Sequence, residues 1–61
     1  MNTTEADLYE RAAAAHLVMQ VLVARMEAAP SHVSHVAYDE ARHALGSLTR
    51  LELLMREEIA A

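Results

Sequence analysis

The 61 residues predict an all-α protein: an antiparallel two-helix hairpin that associates as a homodimeric four-helix bundle. Three observations carry this. The stretch AAAAHLVMQVLVA, from Ala12 to Ala24, has only His16 and Gln20 as polar side chains, so a helix there is apolar almost all round. Such a helix must be covered on more than one side, and this chain can supply only one other helix. Apolar residues recur in steps of three and four on both sides of the single proline, Pro30. Finally, chains below roughly 70–80 residues seldom bury enough core to fold alone, and the absence of Cys removes disulfides and thiolate metal sites as remedies.

The first helix is predicted over residues 4–28. Thr4 followed three residues later by Asp7, or Asn2 followed by Glu5, approximates a capping box, and Glu5, Asp7 and Glu10 suit the positive end of the helix dipole. Leu8, Ala12, Ala15, Met19, Leu22, Met26 and Ala29 form its coiled-coil seam, with Glu5, Tyr9, His16, Gln20 and Glu27 on a narrow polar stripe. Pro30 ends it, because proline disfavours helical geometry in the residue before it and offers no N–H. A turn is expected at 29–31, then a second helix over 32–59 capped by Ser31 or Ser34. Its seam reads Ala37, Ala41, Ala44, Leu48, Leu51 and Met55, which brings Ala12 and Ala15 near Leu45 and Leu48, and Met19 near Ala41. Left uncovered are Leu17, Val18, Val21, Ala24 and Ala28 on helix one, with Leu45 and Leu54 beside the second seam. These are the candidate dimer interface.

The formal charge is −4, and the five basic residues, all Arg, are scattered among acids, as in Asp7/Arg11, Asp39/Arg42 and Glu52/Arg56. No basic stripe exists to neutralise phosphates, so direct nucleic-acid binding is not expected. The start of the sequence is acidic and polar, unlike a secretory signal, and the apolar run is shorter than the ~20 residues of a membrane span. The expected place is the bacterial cytoplasm, without membrane contact.

One constellation resembles chemistry. His32, His35, Asp39 and His43 share a face of the second helix, with His16 able to approach His43 across the hairpin. Imidazoles and a carboxylate can bind zinc or nickel, yet an Asp holds the i+4 slot where a second His ligand would be most telling. Arg42, Thr49 and Arg50 make the same face a solvated one. No metal, cofactor or small-molecule substrate is expected. His43 with Asp39 could orient a general base, but no nucleophile lies beside it and two helices form no deep pocket, so no catalytic residue is assigned.

A protein-binding surface is the stronger expectation. Tyr38, one of two aromatics, flanks the second seam, and tyrosine is favoured as an interface anchor. Leu53 lies on the polar face in line with Arg42 and Gly46, where a glycine gap beside arginines suits a docked partner. Tyr38, Arg42, Gly46, Arg50 and Leu53 are therefore the candidate partner contacts. The bland readings are a tyrosine packed at the bundle edge with its hydroxyl in water, and a tolerated surface glycine.

The polar start NTTEADLYERAAAAHLV and the segment HVAYDEARHAL resemble small helical-hairpin proteins carried by temperate phages of pseudomonads. That group includes a quorum-sensing anti-activator, a dimer that binds a LuxR-type transcription activator and a pilus-assembly ATPase. The resemblance implies a non-enzymatic inhibitor of a host protein. The alternatives are an antitoxin-like or accessory subunit of a stable complex, and a His/Asp metal-binding bundle.

Overall fold

The computed structural model describes residues 4–60. Two helices, α1 (Glu5–Ala28) and α2 (His35–Ala60), run antiparallel as a hairpin measuring 44 × 22 × 15 Å. The described residues contain no strand.

Thr4 caps α1 as the sequence implies. Its Oγ1 accepts from the Asp7 N–H at 3.1 Å, and its own N–H donates to Asp7 Oδ2 at 3.3 Å. The competing pair of Asn2 with Glu5 falls outside the described residues. Asp7 is thereby engaged in capping, although the sequence pairs it with Arg11. At the other end Ala29 leaves helical geometry (φ −134°, ψ 58°) while its N–H still donates to the Met26 carbonyl.

The connection is longer than the expected 29–31. Pro30–His32 forms one 3₁₀ turn and Val33 is extended (φ −130°, ψ 129°). The second helix starts at His35 instead of residue 32 and reaches Ala60. Ser34 sets this start: its Oγ accepts from the Ala37 N–H at 3.1 Å and its carbonyl from the Tyr38 N–H at 3.0 Å. Of the two candidate caps, Ser34 therefore makes the capping bond, and a capping serine contributes about 1 kcal/mol.

The seam differs from the expected one in every second position. Ala12, Met19 and Met26 face α2 as expected, but Leu8, Ala15 and Leu22 are exposed, and Tyr9, His16 and Val23 take their places. On α2, Ala41, Leu48 and Met55 face inward, Ala44 is half-buried, and Ala37 and Leu51 are exposed in favour of Tyr38, Leu45 and Glu52. Both ladders share their seven-residue steps and differ by one residue in between, so periodicity alone cannot separate them. The inner ladder wins because its polar members satisfy one another across the interface.

Cross-helix bonds fix the register. Glu27 meets Tyr38, His16 meets Thr49 and Glu52, and Tyr9 meets Glu52 and Arg56. Met19 consequently sits near the level of Gly46, more than a turn from the expected Ala41. Leu45 and Leu48 likewise lie closer to the turn than the levels of Ala12 and Ala15.

Among the described residues only Ala12, Val23 and Ala41 are buried. Leu17 (60 %), Val18 (64 %) and Leu53 (51 %) are among the large apolar side chains left in the open. Gly46 also faces open space, with no atom beyond its chain neighbours and its own helix backbone within 4 Å of where a Cβ would stand. Gly46→Ala is therefore expected to raise stability by roughly 0.5–1 kcal/mol, from helix propensity alone. Urea unfolding followed by circular dichroism checks this; a loss of stability would reveal a close neighbour at that position.

Candidate interaction surfaces

The polar groups that cross the hairpin line one of its sides. At mid-length of the hairpin, His16 lies between Glu52 and Thr49. Its Nδ1 meets Glu52 Oε2, and its Nε2 lies 2.9 Å from Thr49 Oγ1. The Thr49 hydroxyl donates to the Leu45 carbonyl at 2.9 Å, the usual bond of a threonine to the carbonyl four residues back. A carboxylate can only accept, so the ring nitrogen that faces Glu52 donates to it, while Thr49 Oγ1 stands against the other nitrogen. The other Glu52 oxygen accepts from the Tyr9 hydroxyl at 3.4 Å and lies 3.6 Å from the Arg56 guanidinium. Arg56 Nε donates to the Tyr9 hydroxyl at 3.3 Å, and this bond raises the guanidinium pKa above its ordinary value. Of the expected acid–base pairs, Glu52/Arg56 is formed.

Sequence reasoning did not assign this cluster. It placed Tyr9 and His16 on a narrow polar stripe outside the seam, whereas they are seam residues facing α2. The signal was present in the matching spacing: Tyr9 and His16 are seven apart, and so are Thr49 and Arg56, with Glu52 between. Side chains so spaced on two antiparallel helices can meet at two successive levels.

At the turn, the Tyr38 hydroxyl donates to Glu27 Oε2 at 2.8 Å. Tyr38 is half-buried, and its hydroxyl is held by a carboxylate instead of ending in water. Beside it an open cleft of about 330 Å³ is lined by Met26, Glu27, Pro30, Val33, Ser34, His35 and Tyr38. The bond to Glu27 raises the Tyr38 pKa above 10.0, because the carboxylate holds the proton and opposes a second negative charge. A raised pKa means that this bond contributes to stability in full below the ordinary value. It is lost as pH rises through the higher value of the folded state. Absorbance titration of tyrosinate is expected to show one phenol ionising above 10.0, and Glu27→Gln to bring it down towards that value.

The remaining candidate partner contacts, Arg42, Gly46, Arg50 and Leu53, are exposed on α2 away from α1. Tyr38, Arg42, Gly46 and Leu53 lie on or beside the side that carries the polar cross-links, and Arg50 on the back of α2.

The candidate dimer residues do not share one surface. Leu17, Val21, Ala24 and Ala28 are exposed along the outer side of α1, while Leu45 is half-buried within the hairpin. Val18 and Leu54 are exposed towards the opposite side of the molecule.

The histidines do not converge. His35, Asp39 and His43 are exposed along α2, and His32 stands in the 3₁₀ turn with Nδ1 3.4 Å from Ser31 Oγ. His16 meets Glu52 and Thr49, not His43 as the sequence suggested. Among the described residues no three His, Asp or Glu side chains are grouped to hold a metal ion, and no helix is long and apolar enough to cross a membrane. Compared with protein-family models, with curated proteins and with solved structures, the chain matches none of them.

Proposed function

We propose that this protein is a non-enzymatic interaction module, a homodimer of helical hairpins that acts by occupying the surface of a bacterial host protein. The observation that carries this reading is the near absence of a core in a single hairpin. Three buried residues, two of them alanines, cannot offset the conformational entropy of ordering the described chain, which is about 1–2 kcal/mol per residue for the backbone alone. The remaining stability comes from covering Leu, Val and Ile side chains that the hairpin leaves exposed, and that requires another polypeptide.

The class of target follows from the resemblance to phage-encoded anti-activators. The module inhibits a host regulator of the LuxR type, and a pilus-assembly ATPase is a second target of the same kind. Tyr38, Arg42, Gly46, Arg50 and Leu53 are the proposed contacts. The test is a gel-shift assay with purified LuxR-type activators of pseudomonads. Added protein is expected to release the activator from its DNA, and Tyr38→Ala to weaken that effect while the protein stays helical and dimeric. An activator that keeps its DNA at saturating protein, with no complex on gel filtration, would overturn the reading.

A further inference from the structure

The side of the hairpin opposite the polar cross-links forms a second ladder. On α1 it comprises Leu8, Arg11, Ala15, Val18, Leu22 and Arg25, each the residue immediately before a seam residue. On α2 the positions before the seam are Ala37, Glu40, Ala44, Ser47, Leu51 and Leu54, extended by Glu58 four residues on. At 100° per residue, equal offsets from the seam of two antiparallel helices fall on the same side of the pair. The bonds Glu27–Tyr38, His16–Thr49 and Tyr9–Arg56 each join a seam residue to the residue after a seam position, so they belong to the other side. All members of the second ladder are exposed except Ala44, which is half-buried.

This face is apolar in the middle, with Arg11 and Arg25 towards the ends of α1, Leu8 beyond Arg11, and Glu40 and Glu58 towards the ends of α2. The register puts Arg25 level with Glu40, and Arg11 within about a turn of Glu58. None of these four forms an ion pair within the chain among the described residues. With their helices aligned, two copies can meet face to face in two symmetric ways. With the two-fold axis across the hairpin, α1 lies against α1 end for end, and Arg11 and Arg25 abut Leu22 and Leu8 of the second copy. With the axis along the hairpin, α1 lies against α2 of the second copy. Leu22 then faces Ala44, Val18 faces Ser47 and Ala15 faces Leu51, large against small at each level. Arg25 meets Glu40, and Arg11, level with Leu54, reaches Glu58 about a turn away.

We propose that a second copy of this chain docks on this face with the turns side by side, joined by Arg25–Glu40 and Arg11–Glu58 pairs between copies. The proposal rests on the homodimer of the preceding section and specifies its face and direction. It keeps Val18 and Leu54 of the expected dimer residues and leaves Leu17, Ala24, Tyr38 and Leu53 free for another partner.

Two measurements test it. The chain has no cysteine, so Ser31→Cys in the turn takes a single spin label. The two labels of a dimer are expected within roughly 25 Å, two helix spacings of about 10 Å with their linkers. Labels at opposite ends of a molecule 44 Å long would overturn the direction while leaving the homodimer intact. Sedimentation is expected to show Arg25→Glu and Glu40→Arg each weakening dimerisation by roughly tenfold, with the double variant close to the parent, because each swap sets like charges together twice per dimer. Single variants as tightly dimeric as the parent would overturn the face. A parent that sediments as a monomer would overturn the homodimer itself.

Discussion

Val23→Asp is expected to leave the chain largely unfolded at 25 °C. Val23 is the most buried side chain described, 3 % exposed, in the last third of α1 where α2 covers it. A carboxylate there is stripped of water, with Arg42 the cation at its level across the hairpin, and taking a charge out of water costs several kcal/mol. A chain of this length has a total stability of about 3–9 kcal/mol. Val23→Ala, which removes two carbons without adding charge, is expected to cost about 2 kcal/mol and to leave a folded protein with a lower urea midpoint. Far-ultraviolet circular dichroism checks both. Retained helicity in Val23→Asp would mean that Val23 can turn outward and that the observed seam is not the stable one.

The second large effect is expected at Glu52, whose side chain is 16 % exposed. Glu52→Ala leaves His16 without its acceptor and removes the anion beside Arg56 and Tyr9. Bonds to charged groups are worth about 1.5–3 kcal/mol, and stranding their partners adds to the loss, so a destabilisation of about 2–3 kcal/mol is expected. Replacing His16 and Glu52 together by Leu is expected to recover most of it, because exchanging both partners of a polar pair for packed apolar groups is often close to neutral. A urea midpoint unchanged in Glu52→Ala would show that the cluster only decorates the interface.

These two residues also show what the sequence reveals. The hairpin is legible because Pro30 can end only one helix, and Thr4 with Asp7 and Ser34 with Ala37 are local devices contained within four residues. The seam is not legible in the same way. Leu8–Ala15–Leu22 and Tyr9–His16–Val23 complete the same heptads with Ala12, Met19 and Met26, and hydrophobicity favours the first set. The second set faces α2 because His16 and Tyr9 find Glu52, Thr49 and Arg56 there, a compensation visible only when both helices are set in register. Once the inner seam is fixed, the first set becomes an outer surface. A pattern first assigned to the hairpin interior is thus available for contact between chains.

The histidines mark the limit of spacing as evidence. His35, Asp39 and His43 stand four apart on one helix, yet they are exposed along α2 and among the described residues no metal-binding group forms around them. A partner's identity lies further from reach, since Tyr38, Arg42 and Leu53 describe a surface but not its complement.

The central claim is that one hairpin is not a complete protein and that another chain covers its apolar sides. The most direct test is thermal unfolding of the purified chain over a roughly hundredfold range of concentration, with the mass determined by sedimentation equilibrium. The account predicts twice the chain mass of 6.7 kDa and a midpoint that rises with concentration. A monomer whose midpoint does not change with concentration would contradict it.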